Sequence, residues 1–182
     1  EQVVEKYGRD ILRYYLITGA PWDDFYFKWN EVNDISKSFT IIENTFNFVK
    51  TYVTDVKKPK KLNAEDKWIL SRLNELIQNC TTNMNSYNGH KAAQDINDFL
   101  LNDFSRWYIK LVRDRVWPSY EGTDKAAAMY TLYEVSTKVI RLLAPITPFL
   151  AEHAFSILKH LGAKEESVHL TSWPVAGEPN ES

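Results

Sequence analysis

The most regular stretch of the chain is ISKSFTIIENTFNFVKTYV, residues 35–53. Its apolar side chains recur at alternating steps of four and three residues, which is the spacing of one face of an α-helix. The members of this stripe are Ile35, Phe39, Ile42, Phe46, Val49 and Val53. The stretch therefore predicts an amphipathic helix of about five turns with a single buried face.

Similar periodicity on both sides predicts a chain that is nearly all helix. One helix is expected from Val4 to Gly19, followed by an irregular loop, PWDDFYFKWNE, at residues 21–31. Asn63 is a favourable N-cap for a third helix, and Thr147 precedes a sixth. The apolar stripes of the third to sixth helices are Ile69, Leu73, Leu76, Ile77, Cys80 and Met84; Ala93, Ile96, Leu100, Phe104, Trp107 and Leu111; Met129, Leu132, Tyr133, Ser136, Val139, Ile140 and Leu143; and Leu150, Ala154, Ile157, Leu158 and Leu161.

Short connections between helices of similar length favour antiparallel neighbours. We therefore expect an all-α fold, an up-and-down bundle of about four or five helices. Near the C-terminus, Val168, Leu170 and Ser172 alternate with more polar residues, which predicts a short extended segment before a polar tail. The chain is accordingly divided into residues 1–29 (a helix and a loop), 30–163 (the bundle) and 164–182 (the extended segment and tail).

Composition narrows the class of protein. Hydrophobic residues make up 44% of the chain, as in an ordinary globular protein, and the net charge is −2. We find no apolar run long enough to cross a bilayer and no signal peptide, so no membrane association is expected. The single cysteine, Cys80, excludes an internal disulfide and fits a reducing compartment.

The sequence contains no recognisable catalytic constellation. Glycines are few and scattered, so there is no glycine-rich phosphate loop, and no G-x-S-x-G nucleophile motif occurs. His153 and His160 lie seven residues apart, but no acidic or cysteine partner completes a metal site. We therefore predict no catalytic residue, no metal and no cofactor here, and expect that this chain binds something.

Two predicted helix faces have the chemistry of RNA binding. In the fourth helix, Arg106, Lys110 and Arg113 continue a polar stripe that begins at Asp98 and Asn102, and these cations suit phosphates. In the second helix, the polar face offers amides and a ring that suit unpaired bases. The members of that face are Asn44, Asn47, Phe48 and Thr51. For each face the alternative is a solvated helix surface, and the lysine-rich loop KKPKK, residues 57–61, could serve solubility alone.

Six segments resemble class I aminoacyl-tRNA synthetases of the isoleucine, valine and leucine group, and most closely the isoleucyl enzymes in their archaeal and eukaryotic form. They are EKYGRDILRYYLI (5–17), ENTFNFV (43–49), EDKWILSRLNELI (65–77), FSRWYIKLVRDRVW (104–117), LLAPITPFLAEHAF (142–155) and ESVHLTSWP (166–174). Together they cover nearly all of residues 1–173. The family's two nucleotide-binding signatures are absent, and the Ser-Lys-Ser run at residues 36–38 falls inside the second helix. His153 stands where the family often has a carboxylate.

The resemblance implies that this chain is the anticodon-binding bundle of a class Ia synthetase, with residues 1–29 as the connector after the catalytic domain. The whole enzyme would use ATP with Mg²⁺ to attach isoleucine to tRNA(Ile) in the cytoplasm, as a monomer. This part would hold the anticodon stem-loop and contact the catalytic domain of the same chain. The alternatives are the same domain of a valyl or leucyl enzyme, and a non-enzymatic helical module for protein interaction.

Overall fold

The computed structural model describes residues 1–19 and 26–177, and within them it has helices and no β-strand. The α-helices are α1 (Gln2–Tyr7), α2 (Arg9–Thr18), α3 (Trp29–Tyr52), α4 (Ala64–Asn85), α5 (Gly89–Asp98), the single turn α6 (Lys110–Val112), α7 (Lys125–Leu143) and α8 (Pro148–Leu158). A π-helix (Phe99–Ile109) joins α5 to α6, and 3₁₀ turns occupy Arg113–Val116, Lys159–Leu161 and Val168–Leu170. The predicted all-α bundle is confirmed. Across these described ranges, no helix is both long and apolar enough to span a membrane.

Four long segments enclose the main core: α3, α4, α7 and the continuous segment formed by α5 and the π-helix. Each contributes large side chains that are fully buried, among them Phe46, Leu73, Phe104 and Leu132. α2 packs on α3 and α5, and α8 packs on α3 and α7. The predicted stripes of α3 and α4 are buried, apart from half-buried residues at their ends, Ile35 and Met84.

The first predicted helix is in fact two helices. Gly8 ends α1 and begins α2 with φ 87° and ψ 170°, a conformation that residues with a Cβ rarely adopt. The apolar spacing continues across this break, so periodicity alone predicted one helix from Val4 to Gly19. The second correction is that α3 already begins at Trp29, so the predicted loop is too long at its C-terminal end. The earlier part of that loop, residues 20–25, lies outside the described residues.

The fourth predicted helix has the right extent, but the phase of its buried face is wrong. Trp107 and Leu111 were expected in the core, yet they are 40% and 52% exposed. The buried residues instead recur every fourth position, at Leu100, Phe104, Tyr108, Val112 and Val116. In an α-helix a repeat of four drifts by about 40° at each step. A π-helix, with its i to i+5 hydrogen bonds, has wider turns, and these offset the drift over Phe99–Ile109.

The C-terminal segment is only partly extended. Val168 and Leu170 belong to a 3₁₀ turn, and Val168 is buried while Leu170 is 69% exposed, so the predicted alternation is wrong at these positions. Thr171 has an extended backbone, and the residues after it run along α4. There the indole N–H of Trp173 donates to Thr81 Oγ1 at 2.9 Å, and the Gly177 N–H donates to Asn74 Oδ1 at 3.0 Å.

Candidate nucleic-acid interface

Three aromatic rings lie in contact, one after another, at the end of the bundle where α3 ends and α4 begins. The ring of Phe48 lies 4.7 Å from that of Tyr52, and Tyr52 lies 5.4 Å from Trp117 with the ring planes only 26° apart. We call Phe48, Tyr52 and Trp117 the aromatic ladder. Trp117 is 47% exposed, so the outer part of the ladder is open to solvent. Tyr52 and Trp117 were not predicted for this site, because a long separation in sequence conceals their contact.

The predicted base-reading residues of α3 lie beside this ladder. Asn44, Asn47 and Thr51 are exposed, whereas Phe48 is half-buried and packs against the core. The Thr51 hydroxyl donates to the Asn47 carbonyl oxygen at 2.8 Å, so its oxygen remains available as an acceptor. The side-chain amides of Asn44 and Asn47 therefore offer hydrogen bonds beside the ring of Phe48. One side of that ring is in contact with Tyr52.

The predicted cations of the fourth helix all face outward, but they differ in their surroundings. Arg106 donates to Asn102 Oδ1 at 2.7 Å, and Asn102 donates to Asp98 Oδ1 at 2.5 Å, so Arg106 is held in a chain of side-chain contacts. Lys110 and Arg113 are exposed and make no ion pair with the part of the chain that the structure describes. Arg113 lines a shallow cleft together with Trp117. The structure thus brings Arg113 to the aromatic ladder, and Arg106 lies about 10 Å further back along the helix.

Arg115, one of the cations in the same segment, is buried and structural. Its guanidinium contacts the N-terminal turn of α4 and the residue before α7: Nη1 donates to Glu65 Oε1 at 2.6 Å, and Nη2 donates to the Asp124 carbonyl oxygen at 2.9 Å. Nε lies 2.9 Å from Asp124 Oδ2, close enough for charge attraction although the N–H does not point at it. Burial opposes the charge on Arg115, but the hydrogen bond and charge of Asp66 outweigh it and raise the pKa of Arg115. These contacts fix the turn that carries Arg113 and Trp117.

Burial within the same cluster keeps Tyr108 neutral. Its hydroxyl donates to Asp66 Oδ1 at 2.7 Å. Burial, reinforced by the Asp66 charge, raises the pKa of Tyr108. The phenol therefore remains a hydrogen-bond donor at any physiological pH. The predicted N-cap of α4 completes the arrangement, because the Asn63 N–H donates to Asp66 Oδ2 at 3.1 Å.

A second pair of aromatic side chains lies on the side of the π-helix that faces α4. The rings of Trp68 and Trp107 are 4.1 Å apart, and both are partly exposed. Leu111 is also exposed and follows Trp107 by four residues, a spacing that makes side chains neighbours on a helix surface, so we describe the three side chains as an apolar patch. Trp107 was predicted to lie in the core, and its exposed position is a correction that follows from the phase of the π-helix.

Two polar residues of α2 join that helix to the turn between α7 and α8. Asp10 Oδ2 accepts the Leu150 N–H at 2.6 Å, in the first turn of α8 that begins with Thr147 as N-cap. Arg13 Nε donates to the Ile146 carbonyl oxygen at 3.3 Å. Burial raises the pKa of Asp10, although the backbone N–H of Leu150 partly offsets this. These contacts orient α2 on the bundle.

No metal-binding group was found in residues 1–19 and 26–177: no set of three or more His, Cys, Asp or Glu side chains is placed to hold an ion. The Ser-Lys-Ser run at residues 36–38 lies within α3, where Lys37 pairs with Asp34 at 2.9 Å. It is part of an exposed helix face and does not form a loop.

Comparison with known proteins identifies the class of this bundle. The family model for the anticodon-binding domain of tRNA ligase matches residues 66–182, and the chain belongs to this family. A LeuRS from Agrobacterium radiobacter K84, solved in a ternary complex with tRNA and LeuAMS, has the same fold. Its TM-score is 0.64 at 18% identity, and the match covers 97% of this chain and 21% of that chain.

Curated relatives are more similar in sequence, and they are isoleucine–tRNA ligases. The enzyme of Methanothrix thermoacetophila is 40% identical over 185 residues, which cover 96% of this chain and 18% of that protein. The enzyme of Methanopyrus kandleri is 39% identical and covers 94% of this chain and 17% of that protein. This chain therefore spans less than a fifth of the length of these relatives.

Proposed function

We propose that this chain binds the anticodon stem-loop of tRNA(Ile) as part of an isoleucine–tRNA ligase. The observation that carries the proposal is the convergence at one end of the bundle of exposed amides, an open aromatic ladder and an unpaired cation. Asn47, Trp117 and Arg113 represent these three kinds of group. Unpaired bases are recognised by stacking and by hydrogen bonds to their edges, and phosphates by cations.

We assign base recognition to the polar face of α3, and phosphate binding to the cations between Arg106 and Arg113. Asn44, Asn47 and Thr51 would contact base edges, while the aromatic ladder offers a stacking surface beside them. Arg106, Lys110 and Arg113 would meet the backbone, with Arg113 nearest to the bases because it shares a cleft with Trp117. Such phosphate contacts position the RNA without reading its sequence.

The isoleucine assignment is supported by sequence identity. Curated isoleucine–tRNA ligases are about 40% identical across nearly the whole chain, whereas the matched LeuRS structure is 18% identical. The whole enzyme would use ATP and Mg²⁺ in a catalytic domain outside this chain. We also infer a cytoplasmic, monomeric enzyme, and the buried single thiol of Cys80 is consistent with a reducing compartment.

The division into connector, bundle and tail is proposed on the same basis. Residues 1–29 would lead from the catalytic domain, and the contacts of Asp10 and Arg13 would set the angle at which that connector meets the bundle. Residues 30–163 would form the RNA-binding bundle. Residues 164–182 would form the tail, and its part up to Gly177 lies along α4, where Trp173 and Gly177 are hydrogen-bonded.

The proposal is tested by measuring the affinity of the full chain for an isoleucine anticodon stem-loop, and for stem-loops with altered anticodons, at low and moderate salt. Asn44→Ala and Phe48→Ala should reduce discrimination between anticodons. Arg113→Ala should weaken the binding of every stem-loop and reduce the dependence of affinity on salt. No binding at low salt, or equal affinity for every anticodon, would refute the proposal.

A second candidate, a surface for protein interaction, is favoured by the patch of Trp68, Trp107 and Leu111. It requires that the patch, and not the aromatic ladder, carry binding. Trp68→Ala with Leu111→Ser would then abolish association with a protein partner and leave RNA affinity unchanged. Loss of RNA affinity in that double variant would instead place the patch in the RNA interface.

A further inference from the structure

The connection between α3 and α4 has a burial pattern with a period of three residues. Its apolar members are buried or half-buried, and every residue between them is exposed. The inward residues are Val53, Val56, Pro59 and Leu62, and the outward pairs are residues 54–55, 57–58 and 60–61. A repeat of three is the period of an extended chain of the polyproline type, which has no internal hydrogen bonds and is held by its contacts. We call residues 53–62 the lysine strap, because two of its outward pairs are lysine pairs.

The strap is attached to the bundle at both ends. Val53 is fully buried, and its N–H donates to the Val49 carbonyl oxygen at 2.9 Å. Beyond the other end, the Asn63 side chain donates to Asp124 Oδ2 at 3.1 Å. Val56 packs on the main core between these anchors. A connection that served solubility alone would need neither this regular inward contact nor two fixed ends.

The outward lysines form a dense positive surface. Lys57, Lys58, Lys60 and Lys61 are all exposed. Lys57 pairs with Asp55 at 2.5 Å in a fully solvated contact, whereas the other three lysines make no ion pair with the described residues. Three cations within four positions thus lack a counter-charge among residues 1–19 and 26–177.

The strap continues directly from the aromatic ladder, because Tyr52, whose ring stacks on Trp117, is the residue before Val53. We infer that the lysine strap binds the phosphate backbone of the same RNA, beyond the nucleotides that the ladder and the α3 amides would contact. This inference rests on the proposed function of that site. The continuity with an aromatic stacking surface favours RNA over an acidic protein segment, which would have no use for the ladder.

The inference predicts a contribution to affinity that does not depend on the anticodon. Each phosphate contact contributes about 0.7–0.9 to the slope of log affinity against log salt. We expect that the triple variant K58A/K60A/K61A reduces this slope by about two to three in the full chain, equally for cognate and altered anticodon stem-loops. The matched control, K91A/K159A/K164A, removes the same charge from exposed lysines outside the strap.

The outcome separates this inference from the proposed function. If wild type binds the stem-loop and Trp117→Ala weakens it, yet the two triple variants show the same salt slope, the strap does not contact RNA and the inference is overturned. If wild type does not bind the stem-loop, the proposed function has failed. A strap variant that loses only binding to an acidic peptide also overturns the inference. Helical content by circular dichroism checks that both triple variants are folded.

Discussion

The guanidinium of Arg115 meets the carboxylate of Asp66 through two parallel hydrogen bonds, Nη1 to Oδ1 at 3.0 Å and Nη2 to Oδ2 at 2.9 Å. Asp66 lies in the first turn of α4 and is fully buried. Arg115 lies in the 3₁₀ turn Arg113–Val116. A paired geometry of this kind is strong and directional. It therefore fixes the turn bearing Arg113 and Trp117 relative to α4.

Removal of the Arg115 guanidinium should leave the buried carboxylate of Asp66 without a counter-charge. Arg115→Met is expected to lower the free energy of unfolding by about 3–5 kcal/mol, because Asp66 cannot reach solvent. Urea unfolding followed by circular dichroism gives the difference. Arg113→Met is the matched control, since Arg113 is exposed, and it should change stability by about 0.5 kcal/mol or less. Similar losses in both variants would show that the network does not stabilise the fold.

Of the two glycines Gly8 and Gly89, Gly8 should tolerate a side chain less well. Its φ of 87° disfavours any residue with a Cβ, although no atom lies within 4 Å of the position that a Cβ would occupy. Gly8→Ala is expected to cost about 1–3 kcal/mol through backbone strain alone. Gly89→Ala is the control, because Gly89 also has open space but begins helix α5 without a positive φ. It should be neutral or slightly stabilising.

Differential scanning calorimetry of the two alanine variants measures this contrast. Equal melting temperatures for Gly8→Ala and the wild type would mean that α1 and α2 can join into one helix, as the apolar spacing predicted. In that case the contacts of Asp10 and Arg13 would have to be tested in the joined form.

The burial of Asp10 predicts a specific dependence of stability on pH. Because its pKa is raised in the folded state, the folded protein holds this proton at a pH where the unfolded chain has lost it. The associated stability is fully present below the ordinary pKa of about 3.8 and is lost as the pH rises through the folded pKa. Asp10→Asn removes this contribution.

Unfolding free energies of the wild type and Asp10→Asn should therefore be compared from about pH 3 to pH 7. The wild type is expected to lose stability relative to the variant as the pH rises, and the difference isolates Asp10 from the other carboxylates. A constant offset between the two curves would mean that the pKa of Asp10 is not shifted.

Regular periodicity predicted the elements that pack as ideal helices. The buried apolar stripes of α3 and α4 were predicted correctly, because steps of three and four residues match the period of an α-helix. The predicted stripe of the fourth helix was wrong at Trp107, because the buried residues around the π-helix recur at every fourth position and not at the α-helical steps of three and four. The candidate site was found in part: Asn47 and Arg113 were visible as exposed polar positions. Trp117 was missed because its contact with Tyr52 depends on the tertiary fold.

The same segment offers two exposed tryptophans in different surroundings, which allows a matched test of the proposed RNA site. Trp117 stacks on Tyr52 in the aromatic ladder, whereas Trp107 pairs with Trp68 on the side of the π-helix that faces α4. They are exposed to a similar degree, 47% and 40%. Replacement of either by alanine removes the same indole, so the comparison separates position from chemistry.

Trp117→Ala is expected to weaken binding of the anticodon stem-loop by about 5- to 150-fold, the range that stacking of one base on an aromatic side chain contributes. Trp107→Ala should leave the affinity within about twofold of wild type, since Trp107 contacts Trp68 and is not part of the aromatic ladder. Fluorescence anisotropy with a labelled stem-loop provides both values. A larger loss in the Trp107 variant would move the RNA from the end of the bundle to the face between the π-helix and α4, and the α3 amides would then have no role in reading the anticodon.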